Sequence, residues 1–253
     1  MLFRFGKDII RFHCVYWPAF LLAAGIKPPK KVFAHGWILS GEEKMSKSKG
    51  NILDPLEIIE NYGLDEIRYY LMKEVIYGED GKITPENLIN CINSDLANNI
   101  GNLYQRISSI VHNKLNSTIP ACKPKDSSDI KILNLVEDNL DLLIKTFNKY
   151  EIHNYLKGII QLCSEVNKYV NDSAPWSLKD NNLEKRNIII YSVLEFMRKI
   201  SILLQPIIPE KTKIILDSLN INQDERFIKN INKNFTLKQN SKIEKINILF
   251  KKQ

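Results

Sequence analysis

Apolar residues recur at intervals of three and four along most of the chain, and the pattern is cleanest after Thr84. Thr84-Pro85-Glu86 combines an N-cap residue, a proline suited to a first helical turn and an early acid. Leu88, Ile92, Leu96, Ile100, Leu103, Ile107 and Val111 then follow on one face, predicting a long amphipathic helix. Similar stripes predict helices from about 130 to 147, 152 to 170, 183 to 204 and 210 to 219. The helix from Leu183 to Leu204 is apolar almost all round, so it is expected at the centre of a bundle. Pro206 and Pro209 separate it from the last helix. Beyond Asn220 the chain is polar and weakly patterned, except for Ile246, Ile248, Leu249 and Phe250, a patch suited to docking back on the bundle.

Ahead of Gly81 the pattern is mixed. Ile9, Ile10, Phe12, Val15 and Tyr16, then Phe20 to Leu22, predict a helix from Asp8 that Pro18 bends or restarts and that Gly25 and Pro28-Pro29 end. Lys31 to Leu39 reads as one buried strand. Asp54-Pro55 starts a short helix that Gly63 closes, a second runs from Asp65 to Val75, and Gly78 and Gly81 mark a hinge. The expected fold is mainly α, in three parts: helix and strand over residues 1–40, a loop with connecting helices over 41–82, and a helical bundle with a polar tail over 83–253.

Composition narrows the partners more than the fold. With 44% hydrophobic and 26% charged residues this is an ordinary globular chain, and its net charge of +7 with pI near 9.0 favours an acidic partner, most commonly nucleic acid. Many of the lysines keep company with asparagine and isoleucine, however, which an A+T-rich genome would also produce. Cys14, Cys91, Cys122 and Cys163 are far apart and show no Cys-x-x-Cys spacing, so neither a zinc site nor a disulfide framework is expected, and a reducing cytoplasm fits. Arg4, Lys7 and Arg11 before the apolar run from Phe12 to Ile26 imitate a secretory leader. Asp8, His13 and Pro18 interrupt that imitation, and the run is too short to span a bilayer.

Four groups of residues are candidates for chemistry. Between Gly41 and Gly50, Lys44, Lys47 and Lys49 fall on a segment without apolar periodicity, which suits a cationic loop. A lysine about 4 Å from a phosphate gains roughly 4 kcal/mol at an effective dielectric near 20, and the hydroxyls of Ser46 and Ser48 add donors. Taken alone, such a run equally suits a solvated surface. Ile9, His13 and Trp17, four apart, share a helix face; spacing alone favours plain core with the histidine bonded to a backbone carbonyl. His35-Gly36 lies on the expected strand, where a glycine admits close approach of a ligand. On the polar side of the long helix Asn98, Asn102 and Arg106 recur four apart, and Ala174-Pro175-Trp176 ends another helix. Amide, guanidinium and indole together suit unpaired RNA, although a solvated stripe and a packed helix end are the simpler readings of each alone.

The letters themselves carry more. Lys44-Met45-Ser46-Lys47-Ser48, followed by Gly50-Asn51 and Asp54-Pro55, resembles the signature loop of class I aminoacyl-tRNA synthetases. Gly6-Lys7-Asp8-Ile9-Ile10-Arg11-Phe12-His13 with Tyr16-Trp17-Pro18-Ala19 resembles the methionyl-tRNA synthetases, and so do Asn102-Leu103 with Arg106 and, later, Ala174-Pro175-Trp176. The resemblance covers Gly6 to about Leu219. It implies a carboxyl-terminal remnant of a Rossmann-type class I catalytic domain, followed by an α-helical anticodon-binding domain. It also implies ATP with Mg2+ as substrate, L-methionine and tRNA(Met) as further partners, and no membrane. Lys44 and Lys47 would be catalytic, stabilising pyrophosphate as the adenylate forms. Gly6, Asp8, His35, Gly36, Met45, Ser46, Lys47 and Ser48 would contact ATP, while Ile9, His13 and Trp17 would wall the methionine pocket. Asn102 and Arg106 would read anticodon bases, with Trp176 stacked on one.

One departure matters. The family's His-x-Gly-His motif is missing, because the only histidines are His13, His35, His112 and His153 and no two are three apart. Residues Met1 to Phe5 do not look like the family's approach to Gly6, and the first strands are missing too. The chain therefore reads as a carboxyl-terminal half whose strand at 31–39 lacks sheet neighbours. Catalysis by this chain alone is not expected, and a separate amino-terminal half is an expected partner. The alternatives are a non-catalytic tRNA-binding module and the product of a split or decayed gene.

Overall fold

The computed structural model describes residues 2–45, 53–123, 127–178, 182–232 and 236–253. It opens with a strand, β1 (Leu2–Gly6), that pairs in parallel with β2 (Lys31–His35), in register from Leu2 opposite Lys31 to Gly6 opposite His35. This corrects the expectation that the strand after the first helix has no sheet neighbour. Leu-Phe-Arg-Phe-Gly is a run of only five residues, too short for its alternation to stand out.

The connection between the two strands is helical but irregular. A 3-10 turn (Lys7–Ile9) leads into a π-helical turn (Phe12–Tyr16) and then α1 (Trp17–Ala23), with Pro18 in its first turn. Proline has no N–H to give the preceding turn, so the helix widens before it and continues in ordinary α winding after it. The single strand expected at 31–39 is two strands in different sheets. Gly36-Trp37 breaks it, and β3 (Ile38–Ser40) pairs antiparallel with β4 (Glu43–Lys44) and parallel with β5 (Gly81–Ile83). A Cβ on Gly36 would lie 2.0 Å from the carbonyl oxygen of Glu79, so only glycine lets the two backbones cross here.

Two helices follow the loop region. In α2 (Pro55–Tyr62) the Asp54 carboxylate accepts the Leu56 N–H at 2.8 Å, and Gly63, at φ 99°, ends the helix. The next, α3 (Leu64–Glu74), is fastened to the turn before the last helix: Arg68 donates to the carbonyls of Pro206 and Ile207, both at 2.8 Å. Tyr69 and Tyr70 of α3 belong to the same buried cluster as the bundle helices.

The bundle starts as expected, with the Thr84 hydroxyl accepting the Asn87 N–H ahead of α4 (Pro85–Cys91). The chain continues through a π-helical stretch (Ile92–Gly101) into α5 (Asn102–Lys114). All seven apolar residues of the predicted stripe are buried, each worth roughly 1.5–3 kcal/mol relative to exposure. Then come α6 (Ser127–Asn148), α7 (Ile152–Ser173), α8 (Leu183–Leu204) and α9 (Pro209–Ser218).

As its pattern predicts, α8 is enclosed from Ile188 to Leu204, but its buried surface is not all apolar. Glu195 takes a bidentate pair from Arg198 at 2.9 and 2.6 Å and accepts the N–H of Leu237, while Lys199 pairs with Glu137 of α6 at 2.8 Å. The tail past Asn220 supplies Leu237 and the Asn230 carbonyl, which accepts from Arg198, so the docked tail completes the hydrogen bonding of the buried Glu195–Arg198 pair. Its Leu249 and Phe250 are buried and Ile248 is exposed.

Candidate functional site

The first candidate site forms where β1 and β2 finish side by side. Gly6 is the register partner of His35, and a Cβ on Gly6 would lie 2.5 Å from Asp8 Oδ1 and 3.6 Å from His35 Cε1. Gly6, Asp8, His35 and Gly36 are thus brought together at the carboxyl ends of parallel strands, where α/β sheets hold their ligands. His35 Nδ1 donates to the Gly36 carbonyl at 3.0 Å, which fixes the ring.

Asp80, just before β5, fastens this end to the second sheet. Its carboxylate accepts from Lys7 Nζ at 2.7 Å and from the Trp37 N–H at 2.8 Å, and those two bonds hold its carboxyl below the usual carboxylate range. The Lys7 ammonium also lies over the Trp37 ring, 4.3 Å from its centre. Sequence reading passed over Asp80, because a lone acid beside a glycine looks like hinge chemistry.

The hairpin of β3 and β4 turns at Gly41, with φ 62°, and sets the backbone of Lys44 opposite Leu39. Met45 follows half-buried. Ser46, Lys47 and Ser48 lie outside the described residues, so the structure does not test their contacts.

Ile9, His13 and Trp17 do share a face. His13 Nδ1 donates to the Ile9 carbonyl at 3.1 Å, and its ring stacks on Phe5 at 4.3 Å and meets Trp17 edge-on at 6.1 Å. A groove of about 530 Å3 opens beside His13 and Trp17, and its other walls are Phe12, Tyr16 and Phe20 rather than Ile9. Those walls are exposed, Phe12 at 58% and Phe20 at 69%. An aromatic groove with so few polar groups suits a flexible apolar side chain.

At the other end, three residues meet on the face shared by α5 and α7. The Arg106 guanidinium lies 4.6 Å from the centre of the Trp176 ring and donates to Asn171 Oδ1 at 2.8 Å. Lys114 Nζ holds the Trp176 carbonyl at 2.9 Å. Trp176 is 43% exposed, so the indole keeps solvent-facing surface beside the guanidinium. Its direction comes from the end of α7, where Ala174 adopts the left-handed conformation (φ 41°) before Pro175 and turns the chain back. A non-glycine residue there costs of order 1 kcal/mol and is commonest at functional positions.

Asn102 and Arg106 line a polar groove of about 430 Å3 with Asn98, Ser164, Asn167 and Asn171. The ridge carrying Asn98 lies in the π-helical stretch, a distortion frequent at binding sites. Sequence reading missed the α7 wall, although Ser164, Asn167 and Asn171 recur at helical spacing and could have been found.

Comparison with known proteins bears on what these two ends belong to. Residues 2–108 match the family model of tRNA synthetases class I (M), and residues 119–253 match the anticodon binding domain of methionyl tRNA ligase. The chain belongs to the methionyl-tRNA ligase family. It is 41% identical over 250 residues to the methionine–tRNA ligase of Rickettsia typhi, spanning 98% of this chain and 49% of that protein. With the Rhizobium meliloti enzyme it shares 42% over 221 residues, 87% of this chain and 43% of the relative. Among solved structures, Mycobacterium tuberculosis methionyl-tRNA synthetase in complex with methionyl-adenylate superposes with a TM-score of 0.93 at 36% identity, covering 98% of this chain and 49% of that one. The apo form of the same enzyme gives 0.90 at 32% identity. The chain therefore spans about half the length of the methionyl-tRNA ligases it matches. Among the described residues no helix is long and apolar enough to cross a membrane.

Proposed function

We propose that this chain is the tRNA-reading and pyrophosphate-stabilising part of a methionine–tRNA ligase, acting in the cytoplasm on tRNA(Met), L-methionine and ATP with Mg2+. The observation that carries the reading is that Asn102 and Arg106 line one polar groove while the Trp176 ring lies against the Arg106 guanidinium. Amide and guanidinium there would bond base edges, and the indole face would stack on a splayed base for roughly 1–3 kcal/mol.

In the parent reaction the methionine carboxylate attacks the α-phosphorus of ATP and pyrophosphate leaves. A ribose hydroxyl at the tRNA terminus then attacks the adenylate carbonyl and AMP leaves. Lys44 and Lys47 would neutralise the charge that grows on the departing pyrophosphate, with Met45, Ser46 and Ser48 shaping the loop around it. Gly6, Asp8, His35 and Gly36 would receive the adenosine end. His13 and Trp17, with Ile9 behind them, would wall the methionine side chain.

Adenylation also needs phosphate ligands facing the lysine loop, and the four histidines of this chain supply no such pair. Half of a site that acts as a unit does not give half of its rate stabilisation. The 253-residue chain alone is therefore expected to show no methionine-dependent ATP–pyrophosphate exchange. A separately expressed amino-terminal half carrying the histidine motif should restore it by covering the aromatic face at Phe12 and Phe20, and Lys47→Ala should abolish the restored rate. Robust exchange by the isolated chain that Lys47→Ala removes would overturn this division of labour and favour a self-sufficient enzyme. Anticodon-dependent tRNA binding with no restored exchange would favour the binding-module reading.

A further inference from the structure

Asn98 and Asn102 form a ridge with a groove on either side. One side faces α7; the other, of about 540 Å3, is closed by the docked tail, so that Gly101, Asn102 and Gln105 face Lys251 and Lys252. The tail is fastened on both sides of this lysine pair. Ahead of it, Leu249 and Phe250 are 4% and 3% exposed, and Lys211 Nζ donates to the Leu249 carbonyl at 2.9 Å. Behind it, the Asn93 side chain donates to the Gln253 carbonyl at 3.1 Å and accepts the Gln253 N–H at 3.0 Å, gripping the backbone as a neighbouring strand would. Gly101 makes room for the anchor, since a Cβ there would lie 3.1 Å from Phe250 Cδ2.

Lys251 and Lys252 are themselves exposed, and among the described residues neither forms an ion pair. Two unneutralised ammonium groups are thus held on fixed backbone beside the amide that the family reading assigns to an anticodon base. We infer that Lys251 and Lys252 are a phosphate-binding edge for the RNA strand whose bases meet Asn102, an inference that rests on the tRNA reading above. Contacts to phosphate set register and supply affinity without reading sequence, whereas contacts to base edges specify. The division of roles is therefore definite: the lysines position, while Asn102, Arg106 and Trp176 discriminate.

The test uses the whole 253-residue chain and two RNA hairpins, one with the methionine anticodon and one with it replaced, titrated at several salt concentrations. Lys251→Ala with Lys252→Ala should weaken binding of both hairpins by the same factor and lower the slope of log affinity against log salt by about one per lysine. Phe250→Ala, which removes the anchor but keeps both lysines in the sequence, should lower the slope in the same direction. An unchanged slope and affinity in the double lysine variant overturns the inference. A double variant that loses slope beside a Phe250→Ala variant that keeps all of it overturns the placement next to Asn102. Failure of the wild-type chain to bind either hairpin would instead bring down the tRNA reading, and this inference with it.

Discussion

Glu195 lies fully enclosed on α8 and answers to Arg198, also on α8, and to the Leu237 N–H of the tail. Its charge neutralises the buried Arg198 and lies 3.5 Å from the buried Lys199, whose nearer partner is Glu137 of α6. Replacing one member of such a group strands the others, which costs far more than the intact group contributes. Glu195→Ala is therefore expected to lower stability by about 3–5 kcal/mol, read from the urea midpoint, and to loosen the tail. A change under about 1 kcal/mol would show that water reaches the pair. Arg106 stands in another relation to its neighbours: Asn171 and the Trp176 ring hold a cation that the bundle does not need for its core.

Among the elements, the long helices were legible because burial repeats the helical period: Leu88 to Val111 face one core, and Thr84 and Asp54 cap where their side chains permit. The irregular elements were not. β1 is five residues long and declares itself only through its register with β2. The π-helical stretch from Ile92 to Gly101 keeps its apolar residues inward, so its periodicity hides the change of winding. Gly36 shows as a glycine but not as a crossing point with Glu79, a contact 43 residues away in sequence. Of the site residues, the letters marked Asn102, Arg106 and Trp176; the polar stripe of Ser164, Asn167 and Asn171 on α7 was legible at helical spacing, while its pairing with α5 and the role of Asp80 needed the tertiary arrangement. The two small sheets have few strands and exposed edges, so amides at 31–40 should exchange hydrogen faster than those of α5 and α8. Gly36→Ala should speed exchange at 31–40 and 81–83 further while leaving α5 and α8 protected. Slower exchange at 31–40 than in the bundle would show that the sheets, not the helices, are the stable nucleus.

For the molecule as a whole, the two ends are different in kind. The strand ends at Gly6 and His35 are supported by short sheets and an exposed aromatic face, whereas the groove at Asn102 and Arg106 is built on bundle helices whose inner faces are buried in the main core. On the proposed function, RNA reading rests on the bundle and should not need the strand ends at Gly6 and His35. The most direct test measures binding of tRNA(Met) and of the same tRNA with altered anticodons to the wild-type chain and to Trp176→Ala. The account predicts a clear preference for the methionine anticodon in the wild type and loss of most of it in the variant, corresponding to roughly 1–3 kcal/mol of stacking, with a similar salt dependence in both. Retention of the full preference by Trp176→Ala would contradict it.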